Sequence, residues 1–169
     1  MLEQPAIDRL RTAPVAEQDH FIDGARRPSA GGATLETISP IDGHPLTTLA
    51  AGGTEDIDRA VRAARAAFER GGWSRAAPTA RKKVLLRLAE LIESHALELA
   101  VLGVRDNGTE INMAFKAEPL SAAGTFRYYA EAIDKVYGEI APTAPEALGL
   151  IHREPVGVVG AIVPWNFPL

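Results

Sequence analysis

An α/β fold is expected, on three observations. The run Val156-Gly157-Val158-Val159-Gly160-Ala161-Ile162-Val163 is made of β-formers and glycines with no polar break, the pattern of a strand covered on both faces in a parallel sheet. Upstream, apolar residues recur at helical spacing in three stretches. Ahead of those lie short alternating segments bounded by turn residues. With 169 residues, 24% of them charged, the chain has the length of one domain and the composition of a globular protein able to bury a core.

Residues 1–20 are polar and unperiodic and read as a tail. Phe21-Ile22-Asp23-Gly24 predicts a short strand running into a turn. Ser39-Pro40-Ile41-Asp42-Gly43 places proline and glycine where a turn needs them, so residues 35–38 and 46–50 are expected to form a hairpin. Thr54 is the expected cap of a first long helix, with Glu55, Asp56 and Asp58 in its first turn. Its apolar face is Ile57, Ala60, Val61, Ala64 and Phe68, and Gly71-Gly72 stop it. A second helix opens at Pro78-Thr79 and continues along Val84, Leu88, Leu91, Ile92, Leu99 and Leu102 until Asp106-Asn107-Gly108 breaks the pattern. The spacing of Phe126, Tyr129, Ala130 and Ile133 predicts a third over 118–135, ended by Gly138. Residues 141–147 are rich in proline and alanine, and 148–154 alternate as a half-exposed strand. A buried parallel strand at 156–163 needs several neighbours and crossover helices, yet six residues follow Val163. Its sheet partners are therefore expected to lie outside this chain.

Composition excludes several classes of function. The formal net charge is −4 and no long basic block occurs, so neither nucleic acid nor an anionic membrane is an expected partner. The first twenty residues lack the continuous apolar region of a signal peptide. The longest mostly apolar stretch, 156–165, is half of the roughly 20 residues a membrane helix needs. A soluble, cytoplasmic protein is the expectation. With no cysteine there is no disulfide, thiolate metal site or thiol nucleophile within these residues. His20, His44 and His152 have no metal-ligand spacing, and His95, near the apolar face of the second helix, is expected to be a hydrogen-bonded core residue. Arg81-Lys82-Lys83 reads as a solvated helix start, and Tyr128 and Tyr129 as packing residues without the basic stripe of a base-stacking surface.

The chemistry concentrates at the end of the last strand. Pro164 cannot donate to a sheet ladder, so it turns the chain at the carboxyl edge, where open α/β sheets place ligands. Asn166 then stands at that edge between Trp165 and Phe167. Its side-chain amide is a neutral donor that pH does not switch off, suited to holding a developing oxyanion. The same residue among prolines also serves as simple turn chemistry, as does Asp106 ahead of Gly108. Gly157 and Gly160 do not form the G-x-G-x-x-G turn of a dinucleotide site and read as strand glycines.

The run from Arg153 to Leu169, REPVGVVGAIVPWNFPL, resembles the aldehyde dehydrogenase superfamily almost letter for letter. Phe21-Ile22-Asp23-Gly24, Ser39-Pro40 with Gly43, Ala63-Ala64-Arg65-Ala66-Ala67-Phe68, Asp106-Asn107-Gly108 and Tyr129-Ala130-Glu131-Ala132-Ile133-Asp134-Lys135 agree in order, so the resemblance covers residues 21–169. It implies the N-terminal part of that fold: an incomplete Rossmann-like cofactor domain with part of an oligomerisation arm. The implied division is a tail (1–20), the first part of the cofactor domain (21–134), the arm (135–155), and the first strand of the cofactor sheet with the oxyanion loop (156–169). By the resemblance Asn166 is the oxyanion-stabilising asparagine, Ile162, Val163, Pro164 and Trp165 line the cleft for NAD or NADP, and Phe167 faces the aldehyde tunnel. A monovalent cation would fall on Thr37, Ile38 and Asp106.

The resemblance also implies aldehyde oxidation by a cysteine thiolate and assembly as a homo-oligomer, dimer or tetramer, through the arm. Residues 129–138 look most like members acting on ω-amino or γ-glutamylamino aldehydes. Thr109-Glu110 departs from the Lys-Pro that follows Asp-Asn-Gly in many members. The family's catalytic cysteine, general-base glutamate and glycine-rich cofactor turn are absent from these residues, so the chain alone is expected to be inactive. The competing reading is a non-catalytic assembly or binding module acting as the 169-residue chain, and the missing thiol is what separates the two.

Overall fold

The computed structural model describes residues 2–166 and 169. The opening segment is helical rather than a tail. Helix α1 (Gln4–Thr12) carries a proline in its first turn, where the missing N–H costs nothing. It lies along a later helix, α4 (Ala96–Asn107), whose Arg105 donates from Nη1 to the Leu10 and Ala13 carbonyls at 3.2 and 2.7 Å. The Ala13 carbonyl, and the Leu10 carbonyl that also accepts from the Ala13 N–H at 3.3 Å, are met in this way by a cation from about ninety residues onward.

Strands β1 (His20–Ile22) and β2 (Ala25–Arg27) form an antiparallel hairpin through Asp23-Gly24, both at positive φ (53° and 74°), as the expected turn requires. The second hairpin pairs β3 (Thr34–Ile38) with β4 (Pro45–Ala50), and its register shifts between Thr37 and Ile38. Helix α2 (Thr54–Arg70) follows and ends at Gly71 as expected. Its cap is Gly53 and not Thr54, which is the first helical residue. Asp56 reaches back so that its Oδ2 accepts from the Gly53 N–H at 3.1 Å.

Asp56 is buried and does more than cap. Its carboxylate also accepts from the Ala30 N–H at 2.9 Å and the Ser29 hydroxyl at 3.2 Å, with His20 Nε2 3.9 Å away. One side chain thereby ties α2 to the loop after β2 and to β1. The Gly53 N–H, then the Ala30 N–H, the Ser29 hydroxyl and the charge of His20, hold its carboxyl below the ordinary aspartate value. A depressed folded-state value means that this stabilisation is complete above the unfolded-state value near 3.9 and is lost as pH falls through the folded value. Asp56→Asn is therefore expected to flatten the acid limb of a stability-against-pH curve below about pH 4. Denaturant midpoints measured from pH 6 to pH 2.5 check this, and parallel curves for both proteins would refute it.

The second long helix of the sequence is two. Helix α3 (Pro78–Ser94) stops and α4 starts at His95, which has non-helical backbone angles (φ −106°, ψ 13°). His95 is exposed, with Nδ1 3.1 Å from Glu98 Oε2. The break turns its side chain outward, so the expected core histidine is a surface residue. The third helix begins earlier than expected: α5 (Ile111–Phe115), a π turn (Lys116–Leu120) and α6 (Ser121–Ala132) follow without a gap. Pro119 lies inside the π turn. A proline there lacks a donor and crowds the preceding turn, and the wider turn accommodates it.

Helices α3 and α6 make the main helix contact, joined at the surface by Arg127 to Glu93 (2.9 Å) and Lys82 to Glu131 (2.6 Å). The core is built of small side chains, Ala89, Ala96, Ala100, Val101, Ala114, Ala123 and Ala130, which lets backbones approach closely. Tyr128 and Tyr129 are exposed and meet edge to face, so they are not packing residues within this chain.

Strands β5 (Glu139–Ala141) and β6 (Gly149–Ile151) form a third antiparallel hairpin, closed by Arg153 on the Tyr137 carbonyl (2.9 Å) and on Glu139 (2.8 Å). The expected buried strand at 156–163 is not one here. These residues run without strand pairing, and Val156 is 89% exposed. Among the described residues the sheets are three separate two-stranded antiparallel pairs. A strand covered on both faces needs parallel neighbours, and none of these pairs supplies one. No helix of the described residues is long and apolar enough to cross a membrane.

Candidate active-site segment and cation cavity

Asn166 lies with Trp165 in an exposed turn that ends the extended segment. Ile162 and Val163 are exposed and Trp165 is 80% exposed, so three apolar side chains stand next to one amide with no cover from this chain. Phe167, the expected wall of an aldehyde tunnel, lies outside the described residues. The segment leans on the body near α2, where a Cβ on Gly157, at φ 108°, would meet Arg65 Nη1 at 3.6 Å.

Two of the three residues expected at a cation come together elsewhere. Thr37 and Asp106 line one cavity of about 330 Å³ with Gln18, Thr47 and Glu118, between apolar walls that include Leu46, Leu49, Leu99 and Leu102. Ile38 follows Thr37 on β3 and is half exposed. Two features bring the α4 end to the β3 hairpin. Gly108 closes α4 at φ 78°, a conformation other residues rarely adopt, and a Cβ there would touch Pro40 Cγ at 3.3 Å. The shifted register at Thr37 and Ile38 disturbs the ladder next to that turn. Oxygen donors of the threonine and aspartate type suit a hard cation. Among the described residues no group of three or more histidine, cysteine, aspartate or glutamate side chains is placed to bind a metal. A cation here would therefore depend on backbone oxygens.

Sequence reasoning missed Glu118, which is 0% exposed in the wall of this cavity. Among the described residues its Oε2 has no hydrogen-bond partner, and its Oε1 accepts only a long bond from Asn107 Nδ2, 3.5 Å. A glutamate followed by proline inside a helical pattern was the available signal. Asp42 and Glu110 are exposed, and each is held below the ordinary carboxylate value mainly by local backbone N–H groups, of His44 and of Asn112 and Met113 respectively. They act as turn and cap, not as a site.

The sequence pattern described as the aldehyde dehydrogenase family matches residues 27–169. The chain is 52% identical over 149 residues to the NADP/NAD-dependent aldehyde dehydrogenase PuuC of Escherichia coli K12, covering 88% of this chain and 30% of that one. It is 46% identical over 152 residues to the aminoacetaldehyde dehydrogenase of Pseudomonas aeruginosa, covering 90% and 31%. Among solved structures, the gamma-glutamyl-gamma-aminobutyraldehyde dehydrogenase of Burkholderia cenocepacia superposes with a TM-score of 0.94 at 45% identity, over 99% of this chain and 34% of that one. An indole-3-acetaldehyde dehydrogenase of P. syringae in complex with NAD+ and IAA gives 0.95 at 43%, over 100% and 34%. The chain thus spans about a third of the length of the relatives it matches. With the helices, hairpins and terminal segment overlaid in this way, the chain belongs to the aldehyde dehydrogenase family.

Proposed function

We propose that this chain is part of an enzyme that oxidises an aldehyde to a carboxylic acid with NAD or NADP, and that its substrate is an ω-amino or γ-glutamylamino aldehyde. The observation that carries the reading is the segment from Ile162 to Asn166, which sets an amide donor beside uncovered apolar side chains. Relatives named for aminoacetaldehyde and gamma-glutamyl-gamma-aminobutyraldehyde support the substrate class.

In that reading Ile162, Val163, Pro164 and Trp165 hold the nicotinamide edge of the cofactor, and Phe167 borders the aldehyde. The cofactor, when bound, accepts the hydride. Asn166 donates its amide N–H to the aldehyde oxygen as negative charge develops there. No cysteine is present, so the thiolate that forms the covalent intermediate is supplied from outside these 169 residues. Thr37, Ile38 and Asp106 would hold a monovalent cation. It would fix the α4 end against the β3 hairpin and take no part in the redox step.

The β5–β6 hairpin is the proposed contact between copies. Ile140, Leu148 and Leu150 are exposed on it, and a two-stranded ribbon with apolar side chains in water is marginal alone. Leu150→Asp is expected to shift the intact protein from dimer or tetramer to monomer in sedimentation runs, and an unchanged oligomer would remove the hairpin from the interface.

The test is NAD(P)H formation by the intact protein with a γ-glutamylamino aldehyde, an ω-amino aldehyde and acetaldehyde. A kcat/KM at least about tenfold higher for the first two supports the substrate class, a difference of ~1.4 kcal/mol in transition-state binding. Equal values would reject it. The 169-residue polypeptide assayed by itself is expected to give no turnover. Activity in that sample would support a reading in which no thiol is needed.

A further inference from the structure

We propose that Glu118 is a positioning residue for the cation held by Thr37, Ile38 and Asp106, acting through Asn107. The inference rests on the cation reading and concerns a residue that reading does not include.

Glu118 has no exposure to solvent, and among the described residues its Oε2 has no hydrogen-bond donor. Burying a carboxyl with so little compensation is costly, by about 1–3 kcal/mol or more for one unmet polar group. Such a group persists where its geometry is used. Its one conventional contact is from Asn107 Nδ2 to Oε1 at 3.5 Å. Asn107 in turn accepts at Oδ1 from the Thr109 N–H at 2.9 Å. The path therefore runs from the π turn through the Asn107 side chain to the backbone just past Gly108. Asp106 is the neighbour of Asn107 on the last turn of α4. Holding Asn107 between Glu118 and Thr109 constrains the turn that carries Asp106, which lines the same cavity as Thr37.

The seat of Glu118 is shaped for it. A Cβ on Gly103 would lie 2.7 Å from Oε2, so α4 leaves the space of one methyl group for this carboxyl, one turn before Asp106. The π turn gives the other half, because its extra width and Pro119 set where Glu118 enters. Outer partners of metal-binding groups orient them and change metal affinity by about 10- to 100-fold when removed. Glu118 stands one step further out, bonded to Asn107, the residue beside Asp106.

The experiment is potassium titration of the intact protein at constant ionic strength in choline chloride, read as the rise in Tm, a readout independent of turnover. Wild type is expected to show saturable stabilisation and Asp106→Asn to show none. Glu118→Leu and Asn107→Ala are each expected to raise the half-saturating potassium concentration by about tenfold. Glu118→Gln keeps an oxygen for Asn107 and is expected to remain close to wild type. Asn107→Ala guards against Glu118→Leu failing to fold, since it breaks the path without altering the buried seat. If wild type gives no potassium response, the cation reading fails and takes this proposal with it. If wild type and Asp106→Asn behave as expected but Asn107→Ala and Glu118→Leu titrate like wild type, the cation stands and the positioning role is wrong. Loss of Tm without a change in half-saturation would likewise reduce Glu118 to a packing residue.

Discussion

Asn166→Ala in the intact protein is expected to lower kcat about 100- to 1000-fold while leaving the KM for the aldehyde nearly unchanged, the effect of losing ~2.7–4 kcal/mol of transition-state stabilisation. The side chain stands at an exposed turn beside Trp165 and is not part of a packed core, so the loss should not arise from unfolding. Its donor is needed only when the carbonyl oxygen acquires charge, and an interaction made only then appears in kcat. Asn166→Asp is the sharper variant, because it keeps the shape and replaces the donor with an acceptor that repels an oxyanion. It should be at least as damaging as alanine. Steady-state rates with cofactor saturating, together with thermal melts to show an unchanged fold, decide the matter. A kcat within about threefold of wild type for both variants would remove Asn166 from the chemistry.

The parts of the fold that the sequence revealed are those controlled by local stereochemistry. Asp23-Gly24 and the 39–43 turn set the two hairpins because positive φ and proline are satisfied within a few residues. Gly71 and Gly108 end helices for the same reason. What was not legible depended on residues far apart in sequence. Helix α1 is short and buries no residue of its own, and its last carbonyls are met by Arg105, so a reading confined to residues 1–20 could not find it. The break at His95 involves neither glycine nor proline, and the apolar periodicity runs through it. The third helix was expected from 118, whereas the π turn lets the helical path run from Ile111 across Pro119. Thr54 was the better cap by residue type, but Asp56 already satisfies Gly53 while binding Ser29 and Ala30.

The candidate site divides along the same line. Asn166 and its apolar neighbours could be identified from a contiguous string of residues, and the family resemblance supplied their roles. The 156–163 run was correctly apolar but expected as a strand, and burial of a strand is a property of its neighbours as much as of its own residues. Thr37 and Asp106 share a cavity because Gly108 packs against Pro40, a contact between positions 68 residues apart, by the numbering, that no local pattern reports. Glu118 entered the sequence reading only as the start of the third helix. Only its place against Gly103, under a helix laid across it, makes it the most buried charged side chain type in the cavity wall.

Gly103→Ala is expected to destabilise the protein by about 1–3 kcal/mol, although alanine is the better helix former at an interior position by roughly 1 kcal/mol. The sign follows from the neighbour. The added methyl would sit 2.7 Å from Glu118 Oε2, inside contact distance, and the buried carboxyl can give way by turning from its seat into the adjoining cavity, away from Asn107. Either α4 and the π turn separate or the carboxyl leaves its rotamer, and both disturb the path to Asn107. Glu118→Ala should also destabilise, by opening a cavity beside Gly103. The two changes act on one space, so the double variant should be more stable than the sum predicts, by a coupling of about 0.5–3 kcal/mol. Urea unfolding of the four proteins measures this directly. Additive losses, or a Gly103→Ala protein as stable as wild type, would mean that the approach of Glu118 to α4 is looser than described, and the positioning role proposed for it would lose its structural basis.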